Sequence, residues 1–275
     1  MRPRSNLPPM SGQRSPRRPG RADFARLVRQ SPPIEQQLPM THLSDAYHLR
    51  DIAEAGSLRP TQCRVFDEPL LYLFYGRPAY RVAAQVESSG LEAYYPVCFV
   101  LRNSAKGAKR IYPFDSGAFH QGRFADFVHR DMIKEDFELD VDPTMPGRLM
   151  NLFWSDPRAY FDNRGARAMD LDPFDFEAKS YAELIRAKAN GPFDERHSAI
   201  EVQMPQSIPL AGNLTAVILP SNFASEPVRR RVDELGALVL PFDTVSRHSP
   251  DNMVGQIYDI CRDLYSGRHN GVKCW

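Results

Sequence analysis

An α+β fold is predicted by two features of this 275-residue chain. Apolar runs of strand length, rich in β-branched and aromatic residues, recur at 69–76, 94–101, 214–220 and 237–243. Amphipathic stretches with helix start and stop signals lie between some of these runs but not all of them, so there is no regular βαβ rhythm and no parallel doubly wound sheet is expected.

The elements follow in order. Residues 1–35 read as a disordered basic arm rich in Pro, Ser and Arg. Within it, 22–30 (ADFARLVRQ) has the pattern of one or two helical turns. MTHL (40–43) ends a short strand. Ser44 and Asp45 are N-cap residues for DAYHLRDIAEAG, and Gly56 closes that helix. PLLYLFYG (69–76) is a strand broken by Gly-Arg-Pro. YYPVCFVL (94–101) is a buried strand, with KRIYPF (109–114) as its expected hairpin partner. Helices are expected at GRFADFVHRDMI, at PGRLMNLFWSDPRAYFDN and, most clearly, at 180–190. HSAIEVQMP (197–205), LTAVILP (214–220) and ALVLPFD (237–243) read as strands. Residues 225–236 and 250–267 read as helices. The domain organisation expected is the arm followed by one domain, 36–275, with an insert at about 115–190. The insert's Phe153, Trp154, Tyr160, Phe161 and many acids suit a helical subdomain covering a sheet, or a lid or target-recognition element.

Composition excludes several classes. Hydrophobic residues make up 42% and charged residues 25%, the profile of a soluble globular protein. No window approaches a membrane-spanning length, and no apolar segment follows the N-terminal arginines as in a secretory signal. Cys63, Cys98, Cys261 and Cys274 form no CxxC or Cys/His cluster, so no metal site is expected and the thiols are read as reduced, in a cytoplasm. The formal charge of +1 conceals an asymmetry: residues 1–30 hold eight arginines and one acid, Asp23. Such a tail is either a solvated segment or an electrostatic handle for nucleic acid or another anionic surface.

Three segments carry chemical content. Thr41-His42-Leu43 precedes a helix and the turn AGSLRP (55–60). LYLFYGRPAYR (71–81) ends in aromatics flanking Arg77. HSAIEVQ (197–203) places Glu201 inside an apolar strand. With Ala199 and Gln203 on its face, that carboxylate has to be wet, paired or functional, because an isolated buried carboxylate is costly. The remaining motif space is empty: no Walker loop, no GxGxxG after a strand, no HExxH and no GxSxG.

In chain order these segments resemble the ADP-ribosyltransferase fold, and within it the bacterial DarT-like, His-Tyr-Glu type enzymes. The likeness covers roughly 40–102 and 195–220. It rests on THL followed by a helix and AGSLRP, on YGRPAY, and on AIEVQ followed by IPL and LTAVILP. It implies an ART-like split β-sandwich with flanking helices, and NAD as the substrate. Thr41 and His42 would then anchor ribose and carboxamide, and Tyr75 or Tyr80 would stack the nicotinamide, with Tyr72 a competing candidate. Arg77 would meet the pyrophosphate, and Glu201 would be the catalytic carboxylate beside C1′. Ala199 departs from the Glu-x-Glu of arginine-modifying relatives and from the Gln-x-Glu of others. Residues 190–198 would form the acceptor loop. The implied activity is ADP-ribosyl transfer to DNA, RNA or protein, or NAD hydrolysis, in a toxin or defence effector. Two other readings stay open: a catalytically silent ART-like module that binds a nucleotide or partner, and an unrelated nucleic-acid-binding α+β protein.

Overall fold

A computed structural model describes residues 24–79, 91–102, 106–165, 167–187, 195–244, 250–269 and 273–275. The chain order begins α1 (Phe24–Gln30), β1 (Met40–Asp45), α2 (Leu49–Ala55), β2 (Ser57–Leu58), β3 (Thr61–Cys63), β4 (Glu68–Tyr75), β5 (Pro96–Leu101) and β6 (Arg110–Tyr112). The helices α3 (Ser116–His120), α4 (Met145–Phe153), α5 (Pro157–Phe161) and α6 (Phe176–Arg186) come next. The chain then runs through β7 (Glu201–Met204), β8 (Ile208–Pro209), β9 (Leu214–Pro220), α7 (Glu226–Glu234), β10 (Leu238–Phe242) and α8 (Pro250–Tyr265). The fold is mixed α+β, as the sequence predicts. It divides into two compact units, one of residues 1–34 with 110–201 and one of 35–109 with 202–275. The stretch expected as an insert is thus most of the first unit.

The second unit is built on a sheet in the order β10-β9-β5-β1-β4-β7, with β3 beside β4. Its pairings are antiparallel at β1–β5 (His42 opposite Phe99), β1–β4 (Thr41 opposite Phe74) and β5–β9 (Cys98 opposite Ile218). β10 runs parallel to its neighbour β9, the two being joined through α7. All six residues of β5 are buried, which is why 94–101 reads as an unbroken apolar run. The neighbours of β5 are β1 and β9, so the expected hairpin with 109–114 does not form. Helix α8 lies against β5, β9 and β10. Its Met253, Ile257, Cys261 and Leu264 are fully buried, and their spacing places them on one helical stripe. The strand at 40–43 runs on through Ser44 and Asp45, and a 3₁₀ turn (Ala46–His48) precedes α2, so neither residue caps the helix with its side chain. Gly56 closes α2 as expected, with φ +60° and its N–H donated to Ile52 O at 2.9 Å. The four cysteines are free and buried.

The first unit is helical and aromatic. The arm does not extend to residue 35. Phe24, Ala25 and Val28 of α1 are buried, with the Phe24 ring edge-on to Phe137 and Tyr181 at 5.7 Å. Beyond α1, Arg148 Nη1 donates to Arg29 O and Ser31 O, and Asn151 Nδ2 to Pro32 O. Residues 1–23 lie outside the described residues. The expected helix at 122–133 does not form; a run of turns and irregular chain follows the short α3 there. The expected single helix at 146–163 breaks at Trp154, where extended backbone intervenes and the Asp156 side chain caps α5 by accepting from Ala159 N at 2.7 Å. The clearest helix, expected at 180–190, begins earlier at Phe176 and ends at Arg186.

Gly76 fastens the end of β4. Its N–H donates to Pro39 O at 2.7 Å, and Arg77 N donates back to Tyr75 O at 2.7 Å, closing a three-residue turn about Gly76 at φ +67°. A Cβ there would lie 2.6 Å from Leu38 Cδ1. Both the dihedral and the space require glycine. Gly76→Ala is therefore expected to destabilise the second unit by about 1–3 kcal/mol, read as a lowered urea midpoint; an unchanged midpoint contradicts this account of the turn.

Candidate functional site

Glu201 opens β7 and is 1% exposed. The strand expected over 197–205 forms only at Glu201–Met204, and of the wet, paired or functional alternatives for its carboxylate face the wet one is not met. Glu195–Ser198 is a 3₁₀ turn, and Ala199, Ile200, Val202 and Gln203 are all fully buried, so both faces of the short strand are covered. The carboxylate is paired. Its Oε1 accepts from Ser116 Oγ at 2.7 Å and its Oε2 from Ser116 N at 3.2 Å. These two bonds offset part of the cost of burying the carboxyl group.

The surrounding chain fixes Ser116 in place. Asp115 is the N-cap of α3 and accepts from Ala118 N at 2.8 Å. The same carboxylate faces Arg196 Nη1 at 3.7 Å, and Asp115 N donates to Arg196 O at 3.1 Å. One residue before Glu201, Ile200 N donates to Tyr160 Oη at 3.1 Å. Segment 196–201 is thereby tied to the start of α3 and to α5. Arg196, His197 and Ser198 of the expected acceptor loop are buried; residues 190–194 of that loop lie outside the described residues. Sequence reading missed Ser116. Its one signal is Asp-Ser-Gly as a helix-start tripeptide, and nothing local links it to a residue 85 positions away.

The other site residues belong to the second unit. His42 on β1 is half-buried, with Nδ1 2.9 Å from Tyr72 O. A carbonyl only accepts, so Nδ1 carries the proton and donates, leaving Nε2 as an acceptor in the neutral ring. Burial lowers the His42 pKa, opposed by the bond to Tyr72, and keeps the ring neutral at pH 7. Thr41 is fully buried, and its Oγ1 lies 2.9 Å from Arg77 O and 3.2 Å from Phe74 O, a single proton serving the two carbonyls. Tyr75 is fully buried; its hydroxyl donates to Gln37 Oε1 at 2.9 Å and accepts from Leu38 N at 3.1 Å. The Arg77 side chain is also fully buried. In this state Thr41 and Tyr75 tie β1, β4 and residues 37–38 together, and Tyr75 presents no open ring face for stacking. Tyr80 lies outside the described residues. The competing Tyr72 is half-buried, with its hydroxyl 2.7 Å from Cys63 Sγ.

Two outcomes follow from this geometry. Ser116→Ala removes a hydroxyl donor from a buried carboxylate and is expected to cost about 1.5–3 kcal/mol, seen as a lower urea midpoint with the slope unchanged. The His42 pKa is lower in the folded than in the unfolded chain, so between the two values the unfolded state binds more protons. The His42 contribution to stability is therefore complete above the unfolded value of about 6.5 and declines as pH falls through the folded value. His42→Gln should flatten the fall in stability between pH 7 and pH 5, and an identical pH profile in the variant contradicts the assignment. Comparison with protein-family models, with curated proteins and with solved structures yields no match to this chain.

Proposed function

We propose that the chain is an NAD-consuming ADP-ribosyltransferase of the His-Tyr-Glu type, with Glu201 as its catalytic carboxylate. The observation that carries the reading is a carboxylate kept inside the protein at the head of a strand, fastened by two donors of one serine. A charge held there needs a purpose that outweighs its desolvation. The element order supports the same reading. His42 sits on β1, α2 leads to β2, the aromatic strand β4 ends at Tyr75-Gly76-Arg77, and Glu201 opens β7 ahead of β8 and β9. The short strands β2 and β8 pair with each other, joining the AGSLRP and IPL segments of the sequence likeness.

In this reading the nicotinamide–ribose bond breaks with its electron pair leaving on nicotinamide, and positive character develops at C1′. The Glu201 carboxylate stabilises that charge and accepts from the ribose 2′-hydroxyl. His42, whose Nε2 is an acceptor in the neutral ring, is the ribose- and carboxamide-anchoring group that the resemblance implies. The lone pair of the acceptor nucleophile then forms the new bond to C1′, and its proton passes to water. With water as nucleophile the product is free ADP-ribose. Nucleic acid suits the basic N-terminal segment, a protein side chain is the other acceptor class, and a toxin or defence effector is the biological setting proposed.

The burial of Glu201 and its pairing with Ser116 favour a second reading, an ART-like module without turnover, in which Thr41 and Tyr75 keep their internal partners. One assay separates the two. Nicotinamide release from labelled NAD, with and without DNA, RNA or lysate, should fall by about 10²–10³-fold in Glu201→Gln and also decline in His42→Ala, with circular dichroism confirming folded variants. Binding of NAD or ADP-ribose without release supports the silent module. Neither binding nor release overturns both and leaves an unrelated α+β protein.

A further inference from the structure

The N-terminal end of α6 carries a surface that the proposed function does not use. Phe174 and Phe176 are 71% and 52% exposed, and their rings meet edge-on at 6.1 Å. Large apolar side chains packed on each other in solvent mark an interaction surface more often than a lone exposed one does. Three acids accompany them: Asp170 and Asp172 are exposed and Asp175 is half-exposed. None of these carboxylates forms an ion pair among the described residues. The turn presenting them is internally braced, with Phe174 N donating to Asp172 Oδ1 at 2.9 Å and Asp172 N donating to Asp175 Oδ2 at 3.1 Å. The patch is therefore preorganised, aromatic and negative, which is the chemistry that receives arginine. A guanidinium stacks on the ring face while its donors reach a carboxylate.

The chain supplies such a segment itself. Residues 1–23 contain Arg2, Arg4, Arg14, Arg17, Arg18 and Arg21 against the single acid Asp23. They enter the first unit at Phe24, whose ring packs on Tyr181 at 5.7 Å. Tyr181 lies on α6 itself, five residues after Phe176, about 7.5 Å along the helix axis. The basic segment thus joins the described chain beside the helix that the patch leads into. From there, Arg14 to Arg21 lie within about 10–35 Å of extended chain, well within reach.

We propose that Asp170–Phe176 is an intramolecular dock for the arginines at 14–21, holding the basic segment against α6 until a competing polyanion or salt releases it. The proposal is independent of any NAD chemistry.

Limited trypsin digestion of the full chain tests it, followed by mass spectrometry. Trypsin cuts after Arg4, Arg14, Arg17 and Arg21, while Pro3 and Pro19 protect Arg2 and Arg18. At low salt the wild type should be cut after Arg14, Arg17 and Arg21 about fivefold more slowly than Phe174→Ser/Phe176→Ser or Asp170→Asn/Asp172→Asn/Asp175→Asn, because cleavage follows the undocked fraction. The asparagine variant keeps an acceptor oxygen at 172 and 175, so the turn itself is retained. Salt at about 0.5 M should remove the difference. Equal rates in wild type and both variants overturn the proposal. So does protection that grows with protein concentration, since the dock would then receive the segment of another copy.

Discussion

A carboxyl group cannot be buried in a protein at small cost without hydrogen-bond partners, and the pair formed by Glu201 and Ser116 is where this chain meets that constraint. Satisfying it involves the start of α3, residues 196–201 and Tyr160 of the first unit. Ser116 can offer both its N–H and its hydroxyl because Asp115 starts a helix there and turns the first backbone donors outward. Asp115 in turn faces Arg196, and Tyr160 holds Ile200, so the residues on either side of the buried charge are anchored as well. The proposed chemistry places the demand for stabilised charge at this same carboxylate. A group already fixed by its neighbours pays little reorganisation when charge develops beside it.

The second unit faces a different constraint, the close approach of β4's end to the chain before β1. Gly76 permits that approach, and the fully buried Thr41 and Tyr75 lock it. These hydrogen bonds explain why two residues with an expected ligand-binding role are occupied by their own backbone and side-chain neighbours. His42 differs from them: its ring is only half-buried, and the bond from Nδ1 to Tyr72 O sets the tautomer that leaves Nε2 as an acceptor.

Where composition and spacing were enough, the residues concerned act over short range. LTAVILP is β9 in full, 69–76 is β4 shifted by one residue, and Gly56 adopts the left-handed cap its position suggests. β5 reads correctly because burial on both faces leaves no polar interruption. Elsewhere the local pattern misleads. The 122–133 stretch has helical periodicity but forms turns, Trp154 interrupts what reads as one helix, and 197–198, read as part of a strand, belong to a 3₁₀ turn next to the residues tied to Ser116 and Tyr160. Local propensity is a weak guide where tertiary contacts compete with it.

Residue order alone therefore established the mixed class, most strand and helix positions, the arginine asymmetry and the oddity of a lone glutamate in an apolar run. It did not establish the serine that receives that glutamate, the burial of Thr41, Tyr75 and Arg77, or the docking of α1 on aromatic neighbours. Those depend on contacts between residues from about 30 to more than 100 positions apart, and such contacts form only when the folded backbone brings their donors, acceptors and rings together. Periodicity reports which face of an element is apolar; it carries no information about which polar group will be waiting on the other side.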